Sequence, residues 1–279
     1  MFYLVQENTF RERHYDLLID MLDRYGFPYE VVRIFPFVDR VVAVRDVPDG
    51  PYDLDEVPEF VPPTDEVFVF GAVKLSRICA ERGWKPGSLL NDNHDFEVYG
   101  ARYGESMLNH DSLVVRVGDD FQWGPGEVKF IRPTRDTKSF TGALFTEAEW
   151  AERRDHNLRN FRGDSFNEDT PIQVSSPKAI YKEMRFWVVG GRVVTGSTYR
   201  VGSNVVYSRE MVDPGAWEFA QSMVDEFRLA DAFVIDVCDA GGCWRVVECG
   251  CINSAGFYDA DLGKLLGEID KFFGNDEGD

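Results

Sequence analysis

The sequence lacks the features of a secreted or membrane-bound protein. Its first residues, Met-Phe-Tyr-Leu-Val-Gln-Glu-Asn, contain no basic leader and too short an apolar run for a signal peptide. No stretch approaches the roughly 20 consecutive apolar residues of a membrane-spanning helix. The five cysteines, without a leader, indicate free thiols in a reducing compartment. We therefore expect a cytoplasmic protein with no membrane partner.

Positive charge is also scarce. The chain has 30 Lys and Arg residues against 49 Asp and Glu, a formal net charge of −19. A nucleic-acid backbone or an acidic membrane repels such a surface, so the composition argues against general binding to either. One local basic cleft remains compatible with it.

Several catalytic signatures are missing. The sequence contains no Gly-x-x-x-x-Gly-Lys-Ser/Thr, no Gly-x-Gly-x-x-Gly and no Gly-x-Ser-x-Gly. Any nucleotide site is therefore not of the P-loop kind. The histidines are scattered without metal-ligand spacing, which favours structural or solvated roles; they are His14, His94, His110 and His156.

A zinc site is the alternative raised by the cysteines. Cys238, Cys243, Cys249 and Cys251 have the right number for one. Four thiolates must converge tetrahedrally, however, and strand alternation makes Cys238 and Cys249 point in opposite directions. The sequence therefore disfavours zinc.

The 279 residues are enough for a sizeable core and more than one lobe, and 44% are hydrophobic. The first 85 alternate strand and helix patterns. Strands are predicted at 2–6, 29–35 and 66–71, and helices at 10–25 and after Gly71. This alternation predicts a small parallel sheet as a first lobe, residues 1–85. The motif Gly-Trp-Lys-Pro-Gly at 83–87 marks its end.

The second predicted lobe spans residues 86–175 and contains a basic segment. A strand that begins near Glu127 ends at Arg132-Pro133 and enters a polar loop that carries Lys138. Alternation places Phe130 and Arg132 on one face. A capping-box spacing from Thr146 to Glu149 predicts the start of a helix.

The third predicted lobe, residues 176–279, opens with a hairpin. Gly190-Gly191 is typical of a two-residue turn, which would place Val189 opposite Arg192, Arg185 opposite Gly196 and Tyr181 opposite Arg200. In this register three charged side chains share a face; they are Glu183, Arg185 and Arg200. An ordinary solvated face is the alternative interpretation.

A second hairpin follows between Ala232 and Tyr258. If its connection spans residues 239–243, Asp236 opposes Val246, and Asp236 and Glu248 share one face. Asn253 lies just beyond the strand end. Two carboxylates and an amide oxygen suit Mg²⁺ together with phosphate oxygens. A sheet with two half-exposed acids is the alternative.

These stretches, in this order, resemble the ATP-grasp superfamily. The closer resemblance is to a branch of small ATP-grasp proteins common in phage and bacterial genomes. It is carried by Phe-Ile-Arg-Pro with Lys-Ser-Phe-Thr-Gly, by Glu-Met-Arg-Phe-Trp-Val-Val and by Asn-Ser-Ala-Gly-Phe-Tyr. The similarity spans nearly the whole chain.

The resemblance implies an α/β (α+β) ATP-grasp fold, with a Rossmann-like pre-grasp lobe and two α+β lobes that clamp ATP and Mg²⁺. Arg132, where most of the superfamily has lysine, and Lys138 would bind the phosphates. The other implied nucleotide contacts are Gln173, Val174 and Ser175 against the adenine, Glu183, and Arg185 with Arg200 at the γ-phosphate or the acceptor carboxylate. The implied magnesium ligands are Asp236, Glu248 and Asn253. The usual pattern places Asn two residues after the Glu, where this chain has Gly250.

The implied activity is ATP-dependent ligation of a carboxylate and an amine through an acyl phosphate. The partners would be a small-molecule or peptide carboxylate and an amine acceptor. The alternatives are a phosphotransferase on the same fold and a nucleotide-binding module without catalysis. Fold by itself does not choose among them.

Overall fold

The structure is a computed structural model that describes residues 1–7, 14–35, 38–135, 140–159 and 166–274. The described residues form three β-sheets, which follow one another along the chain. In this part of the chain no helix is long and apolar enough to cross a membrane.

The first sheet has the strand order β3-β2-β1-β4-β5. Its strands are β1 (Phe2–Gln6), β2 (Tyr29–Ile34), β3 (Val41–Ala43), β4 (Glu66–Phe70) and β5 (Lys85–Gly87). All neighbours pair in parallel except β2 and β3. The helices are α1 (His14–Tyr25) and α2 (Val73–Arg82). The predicted parallel sheet is confirmed, because buried strands of this kind are covered by helices on their faces.

The second sheet is antiparallel, with the order β6-β9-β7-β8. Its strands are β6 (Leu113–Arg116), β7 (Val128–Pro133), β8 (Ala143–Thr146) and β9 (Pro171–Ser175). Helix α4 (Glu147–Arg159) follows β8. The predicted capping box is present: the Thr146 amide donates to Glu149 at 2.8 Å, and the Glu149 amide donates to the Thr146 hydroxyl at 3.4 Å.

The third sheet is antiparallel, with the order β12-β11-β10-β13-β14. Its strands are β10 (Lys182–Val189), β11 (Arg192–Val201), β12 (Asn204–Ser208), β13 (Ala232–Asp239) and β14 (Trp244–Cys251). One face packs against α5 (Pro214–Glu226) and α3 (Phe96–Tyr103). The other packs against α6 (Leu262–Phe273) and the first sheet. Helix α3 thus joins the core of the third sheet, although residues 86–175 were assigned to the central lobe; the lobe boundaries stay predictions.

The hairpin of β10 and β11 turns at Gly190-Gly191, and Val189 pairs with Arg192 as predicted. Beyond that pair, two bulges shift the register. Arg185 pairs with Ser197 instead of Gly196, and Arg200 pairs with Glu183 instead of Tyr181. The predicted pairs were therefore wrong, because each bulge adds one residue to β11. Tyr199 is the added residue of the second bulge.

The hairpin of β13 and β14 also differs from its prediction. Asp239 pairs with Trp244, so the connection has four residues instead of five. This change alone would place Asp236 and Glu248 on opposite faces. A bulge at Val247 restores the parity, and Asp236 pairs directly with Glu248. The predicted connection was wrong, but the predicted shared face is present.

Candidate functional site

A cavity of about 680 Å³ lies between the second and third sheets. Its wall on the side of the second sheet includes Phe130 and Arg132 of β7. The wall on the opposite side includes Arg185 of β10, Tyr199 of β11 and Glu248 of β14. Side chains two residues apart on a strand share a face, which is why Phe130 and Arg132 both reach the cavity.

Three charged residues form a row across neighbouring strands. Arg185 on β10 pairs with Asp236 on β13, which pairs with Glu248 on β14. The Arg185 guanidinium donates from Nε and Nη2 to the two oxygens of Asp236, each at 2.8 Å. Its Nη2 also lies 3.9 Å from Glu248. Both carboxylates are therefore held around one guanidinium group.

Exposure increases along this row. The side chain of Asp236 is 2% exposed, that of Arg185 12% and that of Glu248 34%. From across the cavity, Nη2 of Arg132 lies 2.5 Å from Oε2 of Glu248. Glu248 is thus the carboxylate that faces the cavity, and Asp236 lies behind it as the counter-ion of Arg185.

Burial governs the ionisation of the buried pair. Burial raises the pKa of the Asp236 carboxyl, and the contact with Arg185 opposes this rise. Burial by itself would lower the pKa of Arg185, but the charge of Asp236 outweighs it and holds that pKa well above its ordinary value. Arg185 consequently keeps its positive charge at the cavity wall.

Glu183 also lines the cavity, and its carboxylate is fully engaged. It accepts from the Tyr199 hydroxyl at 2.7 Å and from Nη1 of Arg200 at 2.8 Å. Burial raises the pKa of Tyr199 well above its ordinary value, so this hydroxyl stays a donor. Arg200 is half exposed and does not line the cavity. Its predicted contact with nucleotide or acceptor stays a prediction.

Asn253 is fully buried at the junction of the first and third sheets. Its amide nitrogen donates to the carbonyl oxygens of Val69 at 2.6 Å and Gly87 at 3.2 Å. Its amide oxygen accepts from the Leu89 amide at 2.8 Å. Because backbone groups engage both ends of this side chain, we leave Asn253 out of the proposed magnesium ligands. Sequence reasoning missed this tie between lobes; its only signal was Gly250 in the usual Asn position.

Gln173, Val174 and Ser175 belong to β9, which lies between β6 and β7. Gln173 and Val174 pair with both neighbouring strands, so their backbone groups are engaged in the sheet. The Gln173 amide donates to the Ser112 hydroxyl at 2.8 Å. None of the three lines the cavity. The geometry gives no support to their predicted contact with adenine.

Lys138 lies outside the described residues, and its phosphate role stays a prediction. Residues 140–142 line the cavity wall, and the sequence gave Gly142 no role of its own. A Cβ at this position would lie 2.9 Å from the Arg132 Cβ and from the Phe130 ring. A glycine therefore allows the segment to pass closely over the basic end of β7.

The cysteines do not form a metal site. Cys238, Cys249 and Cys251 are buried, and Cys243 is exposed. Burial raises the pKa of Cys238 to about 12 and that of Cys249 well above its ordinary value, whereas zinc binds thiolates. Among the described residues, no group of three or more His, Cys, Asp or Glu side chains could hold a metal ion.

Comparison of the sequence with protein families decides the fold family. The model of an ATP-grasp domain, the third family of its clade, matches residues 36–269. The chain belongs to this family. The predicted recognition and the predicted ATP-grasp fold are therefore confirmed. No protein of curated function matches the sequence significantly.

Solved structures share the ATP-grasp fold over almost the whole chain. The D-alanine–D-alanine ligase of Bacillus anthracis, complexed with ATP, aligns with a TM-score of 0.59 at 12% identity, covering 98% of this chain and 97% of its own. The ligase of the same name from Coxiella burnetii gives 0.62 at 10% identity, covering 98% and 94%. The D-cycloserine synthetase DcsG gives 0.56 at 12% identity, covering 98% and 99%. At these identities the likeness establishes the fold alone.

Proposed function

We propose that this ATP-grasp protein is an ATP-dependent ligase that joins a carboxylate to an amine through an acyl phosphate. The observation that carries the proposal is the charged row of Arg185, Asp236 and Glu248, with Arg132 facing it across the cavity. Cations on both walls suit a polyphosphate chain. The named functions of the structural neighbours, which are ligases, agree with this proposal.

Phosphate binding is assigned to the two cavity arginines. A guanidinium fork can bind phosphate oxygens bidentately, and it keeps its charge at any physiological pH. Arg132 is 21% exposed and Arg185 12%, so both are shielded enough to interact more strongly than surface charges. Phe130 precedes Arg132 on the same face of β7 and offers an apolar surface next to it.

The donor set fits a magnesium ion. Mg²⁺ is commonly bound through one or two carboxylates together with substrate phosphates and water. Glu248 would be the cavity ligand, with Asp236 beside it on the same face of the sheet. When bound, Mg²⁺ would neutralise charge on the phosphate oxygens.

The proposed reaction has two steps. An oxygen of the substrate carboxylate attacks the γ-phosphorus of ATP, the bond to the β-phosphate oxygen breaks, and ADP leaves. The amine nitrogen then attacks the acyl carbon, the bond to the phosphate oxygen breaks, and phosphate leaves as the amine loses its proton. Arg132 and Arg185 would stabilise the transferring group through charged N–H donors, and no protein nucleophile is required.

A phosphotransferase and an inactive nucleotide-binding module were the alternatives from the sequence. The intact row of Arg185, Asp236 and Glu248 weighs against a module that has lost catalysis. The phosphotransferase shares the first step and differs in its product, since it forms no amide.

Nucleotide binding is tested by thermal unfolding with Mg-ATP. A ligand that binds the folded state alone stabilises it by about 2.7 kcal/mol at 100 times its Kd. We expect Mg-ATP to raise the Tm of the wild-type protein, and Glu248→Gln to remove most of that rise without lowering the Tm of the free protein. Glu218→Gln, an exposed change on α5, is the matched control and should behave as the wild type. An equal rise in Glu248→Gln would exclude Glu248 from the metal site.

A further inference from the structure

Tyr258 has an unusual backbone conformation. Of the described residues other than glycine, it is the only one with a positive φ, at 49°. A bulky side chain in the left-handed region is strained, and such strain persists only where the surroundings impose it. Strained residues of this kind concentrate at functional sites. Tyr258 lines the cavity between the two sheets.

The ring of Tyr258 is enclosed by three others. It stacks on Tyr199 at 5.0 Å between centroids and 24° between planes, and it packs against Tyr207 at 5.0 Å and 30°. Trp187 meets it edge-on at 6.3 Å. Because Tyr199 is the added residue of a bulge in β11, a second backbone irregularity contributes to the same arrangement.

These rings bear on Arg185. The guanidinium carbon of Arg185 lies 4.9 Å from the centroid of Tyr258 and 6.0 Å from that of Tyr199. Asp236 already holds the guanidinium along one edge, through Nε and Nη2. A carboxylate at the edge and an aromatic ring against the face together fix the plane of the guanidinium.

We propose that Tyr258 is a positioning residue for Arg185. Its left-handed backbone brings the phenol ring against the guanidinium and keeps that group directed into the cavity, where it meets the γ-phosphoryl group of ATP. This inference rests on the proposed function for the presence of a nucleotide. It predicts that the ring, and not the hydroxyl, of Tyr258 contributes to the preference for ATP over ADP.

Titration calorimetry with Mg-ATP and Mg-ADP tests the proposal without knowledge of the other substrates. In Tyr258→Gly, which removes the ring and tolerates the left-handed backbone, we expect the ratio of ATP affinity to ADP affinity to fall by about tenfold. The affinity for ADP itself should stay as in the wild type. Tyr258→Phe retains the ring and should retain the wild-type ratio.

Three further variants separate the ring from stability. Tyr258→Asn, another ring-less residue that accepts this conformation, should show the same loss if the glycine variant folds poorly. Tyr258→Ala lacks the ring and keeps the strain, so it should lose the same ratio with a lower Tm than Tyr258→Gly. Tyr207→Leu is the matched control, since the rings that lie against the Arg185 guanidinium are those of Tyr199 and Tyr258.

The outcomes distinguish this inference from the proposed function. A wild-type protein that binds neither nucleotide would contradict the proposed function itself. A wild-type protein that binds ATP and ADP equally well would overturn the positioning role and leave nucleotide binding intact. So would a Tyr258→Gly variant that keeps the wild-type ratio.

Discussion

Replacement of Asp236 by Ala is expected to lower the free energy of unfolding by about 3–5 kcal/mol, the usual cost of removing one partner of a buried ion pair. The reason is that Arg185, 12% exposed, would keep its charge and lose both of its hydrogen bonds to the Asp236 carboxylate. Urea denaturation followed by circular dichroism measures the change. The same variant should lose nucleotide-dependent stabilisation, because Arg185 is no longer held at the cavity wall.

A double variant separates the two effects. In Arg185→Met/Asp236→Leu both charges are gone, and buried pairs replaced by apolar residues often recover or exceed the original stability. We expect most of the lost free energy to return while stabilisation by Mg-ATP stays absent. If Asp236→Ala unfolds at the same urea concentration as the wild type, the pair is not the buried counter-ion contact described for it.

Replacement of Asn253 by Leu is the second large expected effect. The carbonyl oxygens of Val69 and Gly87 and the amide of Leu89 would each lose a partner inside the protein. A buried polar group left without a partner costs about 1–3 kcal/mol. We therefore expect the free energy of unfolding to fall by about 3 kcal/mol or more, as measured by urea denaturation.

The Asn253→Asp variant distinguishes this tie from a magnesium ligand. A carboxylate cannot donate to the two carbonyl oxygens, so the structure predicts a destabilised protein. A metal ligand would instead tolerate this change, since Asp is a good ligand for Mg²⁺. Wild-type stability together with undiminished binding of Mg-ATP in Asn253→Asp would return Asn253 to the metal site.

Much of the fold follows from local patterns in the sequence. The turn at Gly190-Gly191 was predicted because a two-residue glycine turn joins antiparallel strands with little ambiguity. The capping box of Thr146 and Glu149 was predicted because its spacing has one structural meaning. The strands and helices of the first sheet alternate with clear apolar periods. Such features depend on neighbours in sequence, and these are visible without a structure.

Register over longer distances could not be predicted. The bulges at Tyr199 and Val247 each insert one residue into a ladder, and nothing in the local residue types marks them. Asp236 and Glu248 share a face because a shorter connection and a bulge cancel each other. The sequence argument reached the right face through the wrong register.

The role of Asn253 could not be predicted for a different reason. Its partners, at positions 69, 87 and 89, lie more than 160 residues away in the chain. Only the packing of the first sheet against the third brings them together. The burial of Asp236 behind Glu248 is likewise a property of three strands, and pairwise alternation along one strand does not show it.

The most direct test of the proposed ligase follows the oxygen of the acid. Wild-type protein is incubated with Mg-ATP, an amine pool and a pool of carboxylic acids labelled with ¹⁸O in the carboxylate, and the products are analysed by mass spectrometry. An acyl phosphate transfers one carboxylate oxygen to phosphate, so we expect ADP, ¹⁸O-labelled phosphate and a new amide, all dependent on Glu248. ADP with a stable phosphorylated product and no amide would instead identify a phosphotransferase. Release of AMP and pyrophosphate would contradict the acyl-phosphate mechanism.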